Sequence, residues 1–262
     1  MNELSRTVSR ALDVLLVFSE AEPELTLTEV SARLGMHKST VYRMLATLES
    51  RRFVQRDAVS GKYRLGTRIL ELACLVAEHS DLQRQARPYL YRLAEQYQET
   101  ADLSILDEGE VVYLEVAESP QRVKLAARPG QRLPVHATAS GKAFLAYMSP
   151  EEVSNLLPDP PGRFTDTTLT SLDQLSEDLR LAHERGFAIS LQEYEQGINA
   201  VAAPVLDVHG WPTAAIAIAG PAFRLSANRM LEIGGAVRAA ADALAHEVGS
   251  IPSRNSGPNG YR

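Results

Sequence analysis

The chain has 262 residues, of which 45% are hydrophobic and 23% charged, and its formal net charge is −6. That composition is ordinary for a globular protein and excludes wholesale disorder, a collagen-like rod and a coiled coil. No apolar run approaches the roughly 20 residues a membrane span needs, and the first residues lack the basic-then-apolar pattern of a signal peptide, so a cytoplasmic location without membrane contact is expected.

Residues 6–18 read as a helix whose Val8, Leu12, Leu15 and Leu16 make one apolar face. Pro23 lies in a break. Thr26-Leu27-Thr28-Glu29 is a capping-box pattern opening a short helix with Val30 and Leu34 on one side. Gly35 stops it. A second helix begins at His37 or Lys38 and carries Val41, Met44, Leu45 and Leu48 at helical spacing. Residues 53–56 and 62–65 read as strands joined by a turn with Gly61 in the left-handed position. Helix, helix, tight turn, helix and hairpin together predict a winged helix-turn-helix.

Residues 67–79 form a further helix, too apolar to stand unpartnered, and Cys74 within it is expected to be a buried, inert thiol. Residues 81–98 are helical, with Pro88 kinking or splitting the helix. The period then changes to two. Leu103 and Ile105, the turn Asp107-Glu108-Gly109-Glu110, and residues 111–116 read as a β-hairpin. Residues 123–127 are predicted as a strand. Ser149-Pro150-Glu151-Glu152 starts a helix, and residues 171–185 form another, closed by Gly186. Strands are expected at 187–191, 199–208 and 213–219, the last two a hairpin around Asp207 to Gly210. Ser226 caps a final helix to about Val248. Residues 251–262 read as a disordered tail. The fold class is therefore α+β: residues 1–80 form a winged helix-turn-helix with a linker helix, and residues 81–250 an α/β domain with a mainly antiparallel sheet.

Charge is unevenly spread. Between Arg33 and Arg68 nine basic residues face only Glu49 and Asp57, whereas residues 69–262 hold sixteen basic and twenty-five acidic residues. A basic segment on an otherwise acidic chain is the footprint of a nucleic-acid-binding module. In a helix-turn-helix the leading end of the second helix lies nearest the bases. Lys38, Ser39, Thr40 and Arg43 occupy that end, and Arg43 can grip a guanine edge with two hydrogen bonds. Arg56, Lys62 and Arg64 in the hairpin are candidate phosphate contacts. His37 stands where a Ser or Thr cap is more usual.

Enzymatic readings find little support. Ser140-Gly141-Lys142 departs from a phosphate-binding loop, because positions 136 and 143 are His136 and Ala143. Thr138 stands where a nucleophile elbow needs glycine. The six histidines show no metal spacing, and the one cysteine excludes a cysteine-rich metal site. The carboxylates between Asp102 and Glu118 read as turn and strand-end groups, and Glu193 and Glu195 as solvated or structural residues of a loop, with a ligand-orienting role for one of them as the alternative. No catalytic residue, cofactor or metal is assigned. An enzyme with an appended regulatory DNA-binding domain is the alternative reading, and a constitutive DNA-binding structural protein a third.

Ser9-Arg10-Ala11-Leu12-Asp13-Val14-Leu15, His37-Lys38-Ser39-Thr40-Val41-Tyr42-Arg43, Tyr63-Arg64-Leu65-Gly66, the run from Leu133 to Ala143, and Ala217-Ile218-Ala219-Gly220-Pro221 resemble the IclR family of bacterial transcriptional regulators over residues 5–249. The resemblance implies a winged helix binding double-stranded operator DNA, a linker helix used in homodimers or dimers of dimers, and a GAF-like C-terminal domain that binds a small-molecule effector. A repressor is the expected sign. Carried over by position, the effector-binding candidates are Leu133, Ala139, Ser140, Ser190, Ile198, Ala200, Ala217 and Ala219. In members that bind small oxo-acids, the resemblance implies an acid at Ser190 and hydroxyls at Ala217 and Ala219. The smaller, less polar groups here argue for a larger or more apolar effector, such as an aromatic or aliphatic carboxylate held by Ser140 and backbone amides. On the strand 213–219, Ile216 and Ile218 suit the core, and the alanine face leaves room for a packed helix or a ligand.

Overall fold

The computed structural model describes residues 5–19, 21–78 and 81–249, with the backbone alone for residues 76–78 and 249. The predicted tail, 251–262, lies outside the described residues. The chain divides into two units, residues 1–80 and 81–262.

The first unit runs α1 (Arg6–Leu16), α2 (Leu27–Leu34), α3 (Lys38–Ser50), β1 (Val54–Arg56), β2 (Tyr63–Leu65) and α4 (Thr67–Glu78). The capping box forms as read: Thr26 Oγ1 accepts from the Glu29 amide at 3.3 Å, and the Glu29 carboxylate accepts from the Thr26 amide at 2.7 Å. Gly35 adopts φ +59°, the left-handed conformation that lets three residues turn the chain from α2 into α3. Val30, Val41, Leu45, Val54 and Tyr63 close a small core. β1 and β2 pair antiparallel, and Asp57 fastens the turn by accepting from the Val59 and Ser60 amides.

Two expectations fail here. α1 carries two apolar stripes, and the core takes the other one: Val14 is fully buried, with Leu15, Val17 and Phe18 packed beside it, while Val8, Leu12 and Leu16 face solvent. Cys74 is exposed rather than buried, because none of the described side chains of α4 is fully covered by the rest of the chain.

The second unit begins with α5 (Asp81–Tyr97), then β3 (Thr100–Asp107), β4 (Glu110–Ala117), β5 (Arg132–Pro134), α6 (Ala139–Leu145), α7 (Pro150–Leu156), α8 (Leu172–Arg185), β6 (Ala188–Leu191), β7 (Ile198–Leu206), β8 (Pro212–Pro221) and α9 (Ala227–Gly249). The six strands form one antiparallel sheet in the order β5-β4-β3-β8-β7-β6. Alternation sends Leu103, Ile216 and Ile218 to a core shared with Leu90 of α5 and Met230 and Ile233 of α9. The opposite face packs Ala202, Ala215 and Ala217 against Phe144 of α6 and Leu175 of α8.

Pro88 does not split α5. It lies exposed, while Ala86, Leu90 and Leu93 hold the other side of the helix in the core. The predicted strand at 123–127 is absent: β5 takes the β4 edge, with Val111 opposite Leu133, and leaves those residues no ladder to join. β5 and α6 themselves escape the sequence reading. β5 is three residues long, and the seven residues of α6 are buried on all sides, with no polar face to set a period.

Candidate functional sites

At the leading end of α3, Lys38, Ser39 and Arg43 are exposed and Thr40 is half-buried, while Val41 and Leu45 anchor the opposite side. The helix is fixed by its apolar face and presents its polar face. His37 takes the cap position without a side-chain capping bond. In the hairpin, the Arg56 guanidinium lies 5.6 Å from the centre of the Tyr63 ring. Arg64 is partly engaged, 3.7 Å from Glu24 and 3.5 Å from Gln55, and Lys62 is half-buried. Arg6 and Arg10, which the sequence reading passed over, join Thr40, Arg43 and Thr47 around a cleft of about 500 Å³ between α1 and α3. Their spacing of four, one helical turn, was the signal available.

In the second unit all eight candidate effector residues line a single cavity of about 240 Å³. Alanines 139, 200, 217 and 219 leave the space. The alanine face of β8 thus meets a packed helix at Ala215 and Ala217 and opens onto the cavity at Ala217 and Ala219. Gly141 lets α6 approach the preceding loop, since a Cβ there would stand 1.9 Å from the Val135 carbonyl oxygen. Ala139 and Ser140 are thereby set in the wall. Ser190 is already committed, donating to the Ala137 carbonyl at 3.1 Å.

Two loops complete the walls. The segment after β4 supplies Lys124, Leu125, Ala126 and Ala127. Arg224 holds it by donating to the Val123 carbonyl at 2.7 Å, and is itself fixed on buried Glu99 at 2.8 Å. The segment after β6 supplies Tyr194 and Glu195. Thr165 and Thr168 secure its backbone at the Gln192 and Glu193 carbonyls, 2.7 and 2.6 Å away. Lys142, 1% exposed, reaches Glu193 and Asp178, each at 2.7 Å. Burial pushes the Glu193 carboxyl up, and the Lys142 ammonium opposes that shift. Lys142 is a structural cation, spent on two carboxylates. Glu193 is thus structural, as one expected alternative had it, and Glu195 is exposed.

Asp102 corrects the reading of its region. It is mid-strand, the third residue of β3, fully buried, and lines the cavity. Burial pushes its carboxyl up to about 7. Burial, together with the Asp102 carboxylate, holds the neighbouring Tyr113 phenol well above its ordinary value. The signal that could have found Asp102 is alternation: with Leu103 in one core, residues 102 and 104 must face the other side.

Known proteins place this architecture. The chain matches the family "Bacterial transcriptional regulator IclR C-terminal" over residues 74–246 and "IclR helix-turn-helix domain" over residues 7–58. The chain belongs to the IclR family. Among curated IclR-type relatives it is 36% identical to the HTH-type transcriptional regulator BhcR of Paracoccus denitrificans, across 96% of this chain and 90% of that one. It is 30% identical to the transcriptional repressor IclR of Escherichia coli, across 94% and 91%. A solved IclR homologue from Microbacterium hydrocarbonoxydans, complexed with 4-hydroxybenzoate, superposes with a TM-score of 0.81 at 26% identity, covering 92% of this chain and 99% of that one. This IclR-family chain is accordingly a helix-turn-helix transcriptional regulator, and among its described residues no helix is long and apolar enough to cross a membrane.

Proposed function

We propose that this regulator is a cytoplasmic, homodimeric repressor that reads an operator with Lys38, Ser39, Thr40 and Arg43 and releases it when a small organic effector fills the cavity of the second unit. The observation that carries the reading is the winged helix with its basic leading end exposed and its opposite face locked in the core. Arg43 is long enough for a base edge, while Ser39 and Thr40 suit phosphate or base. Arg56, Lys62 and Arg64 contact phosphates, and Arg6 and Arg10 extend that basic surface. A non-enzymatic role accords with Lys142, whose ammonium is taken up by Asp178 and Glu193.

Dimers, or dimers of dimers, are supported by the apolar side chains that the single chain leaves in solvent. These are Val8, Leu12 and Leu16 on α1 and Leu70 and Leu72 on α4. Two winged helices on a twofold axis read an inverted repeat. The effector contacts are Leu133, Ala139, Ser140, Ser190, Ile198, Ala200, Ala217 and Ala219. The four alanines among them leave a cavity of about 240 Å³, which suits a body of about one aromatic ring. Effector binding then shifts the equilibrium between arrangements of the paired winged helices, and with it operator affinity.

Selection from a pool of random duplexes tests the proposal. The wild-type chain is expected to enrich an inverted repeat, and Arg43→Ala to lose preference at one symmetric position of each half-site. Enrichment of no sequence, or of a lone half-site, contradicts it.

A further inference from the structure

Asp102 is difficult to explain as a structural residue. It lies on a central strand of the second unit, directly opposite Val116 on one neighbour and Ala217 on the other. Its residue is 0% exposed and neither carboxylate oxygen has a hydrogen-bond partner. A buried carboxylate without a partner is among the costliest groups a core can hold, and an apolar residue of similar volume would serve the fold better. Both neighbours in the ladder are apolar, so the sheet makes no use of the charge. The cavity does: Asp102 lines it beside Ala217. A second unpartnered acceptor, Oε1 of Gln131, is buried in the same wall. Lys124, the cation of the lining, already pairs with Glu118, and Lys142 of α6 is held by Asp178 and Glu193. The remaining titratable groups of the wall are Tyr113, Tyr194 and Glu195.

We infer that the effector of this cavity carries a hydrogen-bond donor, a hydroxyl or an amine, on an apolar body of about one ring, and that Asp102 selects it by accepting that donor. The inference rests on the cavity being the effector site. Two orphaned acceptors converge on one space walled by alanines, which is the pattern of an apolar pocket with a few placed polar groups. A site built to accept a donor discriminates strongly against an analogue that lacks it, because the buried acceptor is then left unpaired. Burial raises the Asp102 carboxyl, and no hydrogen bond or opposite charge counters that shift.

Three one-ring probes on the full-length chain test this: phenol, benzylamine and toluene, at concentrations up to millimolar, with affinities read by ligand-observed NMR. Phenol or benzylamine is expected to bind at least roughly tenfold more tightly than toluene. Whichever of the two binds tighter says whether the donor is a neutral hydroxyl or a cation. Asp102→Leu should reverse the order in favour of toluene, and Ala217→Leu should abolish binding of all three by filling the cavity. Toluene binding as tightly as both donors, or a donor preference that survives Asp102→Leu, overturns the inference while leaving the cavity as the site. Binding unchanged in Ala217→Leu, or failure of every probe to bind, instead removes the cavity reading on which the inference stands.

Discussion

Asp102 illustrates how a single residue can be placed against the interest of the fold. Burial pushes its carboxyl up to about 7 in the folded chain, from an ordinary value of 3.8. Between those two values the folded state holds a proton that the unfolded chain has released, so stability falls as pH rises through this window. Above about pH 7 both states are ionised and the penalty is constant, at most roughly 4 kcal/mol. Asp102→Asn removes the titration. The stability gap between the variant and wild type, measured by urea unfolding without ligand, should therefore widen in the variant's favour from about pH 4 to pH 7 and then level off. A gap independent of pH would show that Asp102 ionises normally. The candidate residues at this scale were partly legible. Ala139, Ser140, Ala217 and Ala219 lie in family motifs, Ser190 and Ala200 were carried over by position, and all eight candidates line one cavity. Asp102, Tyr113 and Gln131 do not follow from motifs: strand register sets Asp102 beside Ala217 and the β3–β4 pairing brings in Tyr113, while Gln131 reaches the cavity from the loop before β5.

Among elements, α6 shows how much of the cavity depends on one buried cation. Lys142 ties α6 to α8 through Asp178 and to the loop bearing Tyr194 through Glu193. Removing one member of a buried ion pair leaves the other charge uncompensated. Lys142→Met should destabilise the chain by about 3 kcal/mol in urea unfolding, and the double change Lys142→Met/Glu193→Leu should regain at least part of that loss. A single variant as stable as wild type would mean the pairs add nothing. Sequence reading recovered the elements with strong periods or caps: the capping box of α2, the Asp107 to Glu110 turn, the Ser149 start of α7, the Gly186 stop of α8. It lost those defined by tertiary context. α6 is a short helix buried on all sides, without a polar face to mark its period. The alternating segment at 123–127 became a cavity wall because β5 occupies the edge it would need. On α1 the period was right and the face wrong, since Val8, Leu12 and Leu16 make an equally regular stripe that the single chain leaves in solvent.

For the molecule as a whole, the chain divides its charge as it divides its structure, with a basic winged helix on an otherwise acidic protein. The central claim is that the leading end of α3 reads operator DNA. It is tested most directly by binding isotherms of wild type, Lys38→Ala and Arg43→Ala on the duplex obtained by selection, at fixed salt. Both side chains are exposed, so neither change should alter the melting temperature. Arg43→Ala should cost about 1–3 kcal/mol of operator affinity, and Lys38→Ala should weaken binding as well. Isotherms of both variants that superimpose on that of wild type would place the DNA elsewhere on the protein and contradict the account.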